Sequence, residues 1–229
     1  MEFKNTEVWG FKHSIRGMRQ PMNSHHKSDS GYCNELEFDC PKCVLSENCL
    51  MKRDGNQMFP FVIGENDMNL AQRLIKGGTE HRKFLRQIMV SVDITAPLFW
   101  WKEFDTYKVA TVANSTSTMH KIASKPFSLD DFSHDHMNEV ALHSLSQVIE
   151  TLEHLRQDYL KTKDKTTWYS MIQLLPSSYN QMRTVTMNYE SLVNIYHARK
   201  NHKLNEWHEV CDWIKSLPYA NDLVTFEND

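Results

Sequence analysis

From Asn66 onward, apolar residues fall at Met68, Leu70, Ala71, Leu74 and Ile75, the spacing of one helical face, and Gly77-Gly78 ends the run. The period then changes. Ile88, Val90, Val92 and Ile94 alternate with Met89, Ser91 and Asp93, which predicts a strand with one buried face that Pro97 ends or places at an edge. Segment 127–163 opens with Ser128-Leu129-Asp130-Asp131, a capping-type start. It carries Val140, Leu145, Val148, Ile149, Leu152, Leu155 and Tyr159 along one long amphipathic helix. A shorter helix is predicted over 166–174, running into Leu175-Pro176. Two more are predicted over 189–200 and 204–217, the first capped by Asn188. Residues 1–32 are polar, and 23–32 (NSHHKSDSGY) reads as an exposed loop. The elements add up to a helix-rich α+β fold with few strands, organised as one domain over 1–229.

Composition narrows the chemistry. The 229 residues contain only 7 glycines, against roughly 16 at the average usage of about 7%. No GxGxxG and no GxxxxGK[ST] occurs, so the two common backbone cradles for phosphate are excluded and side chains must supply most of the contacts to any phosphorylated ligand. Lys and Arg number 26 against 29 Asp and Glu, which excludes a broadly basic nucleic-acid surface. No apolar run approaches the ~20 residues of a membrane span, and the polar N-terminal stretch lacks a signal-peptide core. A cytoplasmic protein without membrane attachment is the expectation.

Four of the five cysteines, Cys33, Cys40, Cys43 and Cys49, have the spacing C-x6-C-x2-C-x5-C. Two thiolates two residues apart on a turn such as Cys40-Pro41-Lys42-Cys43 can share one tetrahedral metal, and the outer pair completes a four-sulfur shell. Such a knuckle over 33–49 suits zinc or a 4Fe–4S cluster, with free thiols as the alternative. Cys211 sits at an apolar helical position and reads as core.

Residues 96–121, APLFWWKEFDTYKVATVANSTSTMHK, resemble a stretch of the flavin-dependent thymidylate synthases, the ThyX family. There an alanine-proline strand runs through Arg-Gln into RHRxxSxNxxSxR. Ala96-Pro97-Leu98-Phe99 matches the strand, Lys102-Glu103-Phe104 stands at Arg-Gln-aromatic, and Asn114 and Ser117 match the NxxS ending after one inserted residue. Upstream, Glu80-His81 and Phe84 resemble the family's E-H-x-x-F. Downstream, Leu175-Pro176, Asn188, Ser191-Leu192, Asn194 and Arg199 follow LP…N-x-R-S-L-x-N-F-x-x-x-R. His202, Asn205, Glu206 and Trp207 resemble the H-A-Q-x-E segment that comes next. Together these stretches cover about a third of the chain.

The resemblance implies helices on a small, mostly antiparallel sheet and active sites formed between subunits of a homotetramer. It implies FAD as cofactor, a deoxyuridylate-like nucleotide as substrate and a folate one-carbon donor. Ser117 and Arg199 are then the catalytic candidates, and Asn114, Ser117, Gln173 and Arg199 the substrate-binding ones. Glu80, His81, Tyr107, Lys108, Asn188, Asn194 and His202 are the cofactor candidates. An arginine can clamp a phosphate or a pyrimidine edge with its fixed fork, and a hydroxyl and an amide three residues apart on a turn can bind phosphate or a base. Each has a plainer reading: Asn188 as a helix cap, Arg199 as a solvated helix end, Trp100 and Trp101 as core.

The departures fall on the family's charged positions. RHR is replaced by Thr106-Tyr107-Lys108, the last Arg of the first motif by Met119, and the Arg of N-x-R-S-L by Glu190. A further family arginine, just before LP, falls near Ile172, beside Gln173. Three functions are therefore carried forward: flavin-dependent methylation or hydroxymethylation at C5, non-redox nucleotide binding or sensing on the same fold, and a metal- or cluster-dependent enzyme centred on the cysteines.

Overall fold

The computed structural model describes residues 1–33 and 61–226. Cys40, Cys43 and Cys49 lie outside these, so the expected knuckle does too, while Cys33 follows a short strand and is half-buried. Four strands, β1 (Glu2–Trp9), β4 (Met89–Pro97), β5 (Val112–Ser115) and β6 (Asn180–Asn188), form one sheet in the order β1-β4-β6-β5. A two-strand ribbon joins β2 (Gly31–Tyr32) to β3 (Phe61–Val62). The helices are α1 (Phe11–Arg19), α2 (Glu65–Lys76), α3 (Leu98–Phe104), α4 (Thr118–Lys121), α5 (Glu139–Thr162), α6 (Lys165–Leu174), α7 (Tyr189–Arg199), α8 (Asn205–Lys215) and α9 (Ala220–Leu223). The chain divides into two compact units, one of Met1–Thr6 with Ser91–Thr186, the other of Glu7–Val90 with Met187–Asp229.

In the first unit β5 and β6 run antiparallel, from Val112 opposite Thr186 to Ser115 opposite Arg183. The predicted alternation of β4 is realised: Val92, Ile94 and Ala96 are buried, while Ser91, Asp93 and Thr95 form the half-exposed face. That face is a polar ladder. Thr184 Oγ1 donates to Asp93 at 2.5 Å, Asn5 Nδ2 donates to Asp93 at 2.8 Å, and Thr186 Oγ1 donates to Ser91 Oγ at 3.2 Å. Asp93 is held below the usual carboxylate range, chiefly by the Thr184 hydroxyl. Trp100 and Trp101 are both core, and Trp101 Nε1 donates to Gln181 O at 3.0 Å. A second cluster, Ile122, Phe132, Leu145, Leu152 and Met171, is closed by the packing of α5 on α6.

One expectation needs correction here. Ser128 and Asp131 do form a capping box, but it opens only the 3-10 turn Leu129–Asp131. Phe132 then bridges to Tyr179, which takes the chain out of helix, and the long helix begins at Glu139 under a separate cap, Asn138 Oδ1 accepting from Ala141 N at 2.9 Å. The shorter helix, α6, is capped by Asp164, whose carboxylate accepts from Thr167 N at 2.7 Å.

In the second unit, α1 and α7 both pack on the 3-10 segment Arg82–Gln87, and α8 packs on α7. Phe11 meets the Tyr189 and Tyr219 rings edge-on at 5.8 and 5.6 Å, and the buried Tyr189 hydroxyl donates to Pro218 O at 2.7 Å. Gly10 has φ +98, and a Cβ there would lie 2.1 Å from Gln87 O, so that close approach requires glycine. The 23–32 segment is exposed over much of its length, yet its last residues are tied inward. Fully buried Asp67 accepts from Ser28 Oγ and Ser30 Oγ at 2.6 Å each, from Asp29 N at 3.3 Å and from Arg19 Nε. β1 and α1 were not anticipated. β1 is mostly exposed and has no apolar alternation, although Phe11, Ile15 and Met18 do mark the buried face of α1.

Candidate functional site

The N-terminal end of β6 and the turns around α4 enclose a cleft of about 300 Å³ in the first unit, at the lower end of small-ligand sites. Ser117 lines it together with Lys121, Lys125, Tyr179, Asn180 and Gln181. Ser117 is there because it is the cap of α4. Its Oγ accepts from His120 N at 3.2 Å and shares a hydrogen bond of 2.7 Å with His120 Nδ1. Gln181 is committed to the protein: Nε2 donates to Thr116 O at 2.9 Å and to Thr118 Oγ1 at 3.2 Å, and Oε1 accepts from Arg183 Nε at 3.0 Å. The amide of half-buried Asn180, by contrast, stands at the cleft wall with both donor and acceptor to offer.

The charges of the cleft nearly cancel. Lys125 Nζ donates to Asp131, and that hydrogen bond, more than any other influence, raises the lysine above its usual range. Asp131 is buried and also accepts from Ser128 N at 3.0 Å. Burial first, and the Asp131 charge second, push the Tyr179 phenol up, so it is a neutral hydrogen-bond donor at neutral pH. Lys121 and exposed Asp130 are the remaining charged residues of the lining. Hydroxyls, amides and one lysine beside a neutralised pair suit a polar ligand held by directed hydrogen bonds more than by net charge.

Other candidates of this unit lie elsewhere. Asn114 is exposed on β5, opposite Thr184, and Gln173 is exposed on α6; neither lines the cleft. Tyr107 and Lys108 follow α3, where the Tyr107 ring tilts against Phe104 at 6.3 Å and Lys108 is exposed. Arg183, which the sequence reading passed over, lies above the Trp101 ring at 4.2 Å and reaches Asp105 through Nη1 at 2.7 Å.

The second unit gathers most of the cofactor candidates, because α7 packs on the segment that follows Glu80-His81. Asn188 is a helix cap and buried, its Oδ1 accepting from Ser191 N at 2.9 Å and from Ser191 Oγ at 3.1 Å. Asn194, six residues on, is exposed, as are Glu80 and His81. Between these segments lies Arg82, another residue absent from the sequence-derived set. Its Nε donates to both Glu190 oxygens at 3.1 and 3.2 Å, and Nη2 donates to Asn194 Oδ1 at 3.3 Å. Arg199 stacks over the buried Trp207 ring at 4.5 Å; His202 meets the same ring at 6.2 Å, and its Nδ1 accepts from Leu204 N at 3.2 Å. The guanidinium of Arg199 is thus held by an aromatic face, more than a solvated helix end requires. Among the described residues, no group of three or more His, Cys, Asp or Glu side chains is placed to hold a metal ion.

No protein-family model and no curated protein matches the chain. Solved structures do. The flavin-dependent thymidylate synthase ThyX of Helicobacter pylori, complexed with FAD and dUMP, aligns over 98% of this chain and 98% of its own at 17% identity and TM-score 0.63. A second structure of Helicobacter pylori ThyX with FAD and dUMP aligns over 98% and 97% at 16% identity and TM-score 0.64. The UMP/dUMP methylase PolB of Streptomyces cacaoi, bound with 5-Br UMP, aligns over 71% and 82% at 14% identity and TM-score 0.53. The chain has a ThyX-like α+β fold, strongly diverged in sequence.

Proposed function

We propose that this protein binds a pyrimidine deoxynucleotide and transfers a one-carbon unit to C5 of its base, with FAD as redox cofactor and a folate as carbon donor. The observation that carries the reading is Ser117, chosen from a motif, at the wall of a polar cleft within a ThyX-like fold. Lys121 faces the phosphate, the Ser117 hydroxyl is oriented by His120, Tyr179 donates a hydrogen bond to a carbonyl, and the Asn180 amide reads the base edge. In the second unit Arg199, set on Trp207, offers a planar fork for phosphate or carbonyl, whereas Asn114 and Gln173, which do not line the cleft, are left out of the proposed contacts.

The donor set of the second unit fits a flavin: the exposed Asn194 amide, Glu80 and His81 offer both donors and acceptors beside a guanidinium. His202 completes the proposed cofactor contacts of this unit, while Asn188, buried as the cap of α7, is left out of them. When bound, the flavin supplies the reducing equivalents that turn a transferred methylene into a methyl group. The assembly we propose is a homotetramer. A second reading, nucleotide binding without redox chemistry, draws on one feature: Thr106, in place of the first family arginine, turns its hydroxyl back to Glu103 O at 2.7 Å.

Release of tritium from [5-³H]deoxyuridylate, with methylenetetrahydrofolate and a reductant, tests the leading reading. Release that requires added or co-purified flavin supports it. Nucleotide-dependent thermal stabilisation with no tritium release and no flavin bound would replace it with the second.

A further inference from the structure

The sequence places Glu190 where the resembled motif has an arginine, so a guanidinium is missing from the start of α7. The fold brings one back from another part of the chain. Arg82 lies on Glu190 through Nε and on Asn194 through Nη2, and 108 residues separate Arg82 from Glu190. Glu190 is buried, with a side-chain exposure of 9%, and Arg82 keeps 19%. A guanidinium has five N–H bonds. One is shared between the Glu190 oxygens and one reaches Asn194, which leaves three for a ligand at a partly open position.

We infer that Arg82 is a ligand-binding arginine that contacts the ring carbonyls and ring nitrogens of the flavin, with Glu190 as its anchor. The inference rests on the proposed function and adds a residue to it. The charge argument selects the ring over the phosphates. Glu190 pairs with Arg82 at 3.1 Å, so the charge of this guanidinium is already matched and a phosphate would gain less from it than from an unpaired cation. A neutral acceptor edge needs directed N–H bonds and no net charge, and an anchored planar fork provides them. The anchoring also fixes the orientation of the fork, which lowers the entropy lost on binding.

Flavin titrations followed by fluorescence, with FAD, FMN and riboflavin in parallel, test this on the full chain. Arg82→Lys keeps the charge facing Glu190 and removes the fork. The pair Arg82→Gln with Glu190→Gln removes both charges and leaves no buried carboxylate unpaired. Both variants are expected to melt cooperatively and to bind all three flavins on the order of tenfold more weakly. Unchanged affinity in a folded variant would leave Arg82 as a structural ion pair only and overturn the assignment while the proposed function stands. A loss confined to FAD and FMN would move Arg82 to the phosphates and overturn it as well. Wild-type protein that binds none of the three flavins overturns both this assignment and the flavin part of the proposed function.

Discussion

At the scale of single residues, the best-determined group of the second unit is Asp67. Burial alone would raise its pKa, but hydrogen bonds from Ser28, Ser30 and Arg19 outweigh it and hold the carboxylate below its usual range. Arg19 is itself buried, with 5% of its side chain exposed, so each charge depends on the other. Asp67→Asn preserves the shape and leaves Arg19 charged and unmatched, a situation that costs about 3–5 kcal/mol. Urea unfolding at pH 7 should show a loss of that size, whereas Ser28→Ala should cost about 1 kcal/mol. An Asp67→Asn loss below about 1 kcal/mol would mean that solvent reaches Arg19 and that the network is not as closed as described. None of this was readable beforehand. Asp67 follows Asn66 in a helix start and looks like an ordinary first-turn acid, and its partners come from a stretch whose composition says only loop.

At the scale of elements, helix α5 shows how a local motif and a tertiary contact combine. Glu153 accepts from Arg156 through two hydrogen bonds, at 2.8 and 2.7 Å, and also from Phe127 N at 3.1 Å, which fastens the preceding loop to the helix. Its pKa is lowered from 4.5 to about 2, chiefly by Arg156. A folded-state pKa below the unfolded value gives stability that is present above the unfolded pKa and lost as pH falls toward the folded one. Allowing for screening at a partly exposed carboxylate, the contribution is about 1–2 kcal/mol. Glu153→Gln should therefore be less stable than wild type by that amount at pH 7, and the gap should close between pH 4.5 and about 2. A gap that stays constant across that range, measured by chemical denaturation, would rule out the ionic origin. The sequence makes the helices and β4 legible because their apolar spacing survives in the structure: 66–76, 166–174, 189–200 and 204–217 each correspond to a helix within about two residues. It misplaces the start of α5 because a capping box can close a single 3-10 turn as well as a helix. The candidate site is legible only in part. Ser117, Asn188 and Asn194 stand in a motif register, whereas Tyr179, Asn180 and Arg82 owe their places to chain segments brought together by folding.

At the scale of the whole molecule, the shortage of glycine and the near balance of charge decide what kind of ligand can bind. With 7 glycines and neither of the two common glycine-rich phosphate motifs, anion recognition has to draw mostly on side chains. With a formal charge of −3, the protein has no general attraction for polyanions. Among the described residues, no helix is long and apolar enough to cross a membrane. Of the two lysines of the cleft, Lys125 is paired with Asp131, so the proposed nucleotide would be held by hydroxyls and amides more than by net charge. Deoxyuridylate should then stabilise the protein with only a weak dependence on salt. Ligand at a hundredfold excess over its dissociation constant adds about 2.7 kcal/mol. For a chain of this length that corresponds to a rise in Tm of roughly 5–10 °C. The same rise should persist between about 50 and 200 mM salt, where a polyelectrolyte contact would lose most of its affinity, and a 20-nucleotide single-stranded DNA should produce none. A DNA-induced rise that collapses with salt would identify a charged groove in place of a nucleotide cleft. A rise with deoxyuridylate that Ser117→Ala abolishes, in a variant of unchanged intrinsic Tm, would put the nucleotide in the cleft that Ser117 lines.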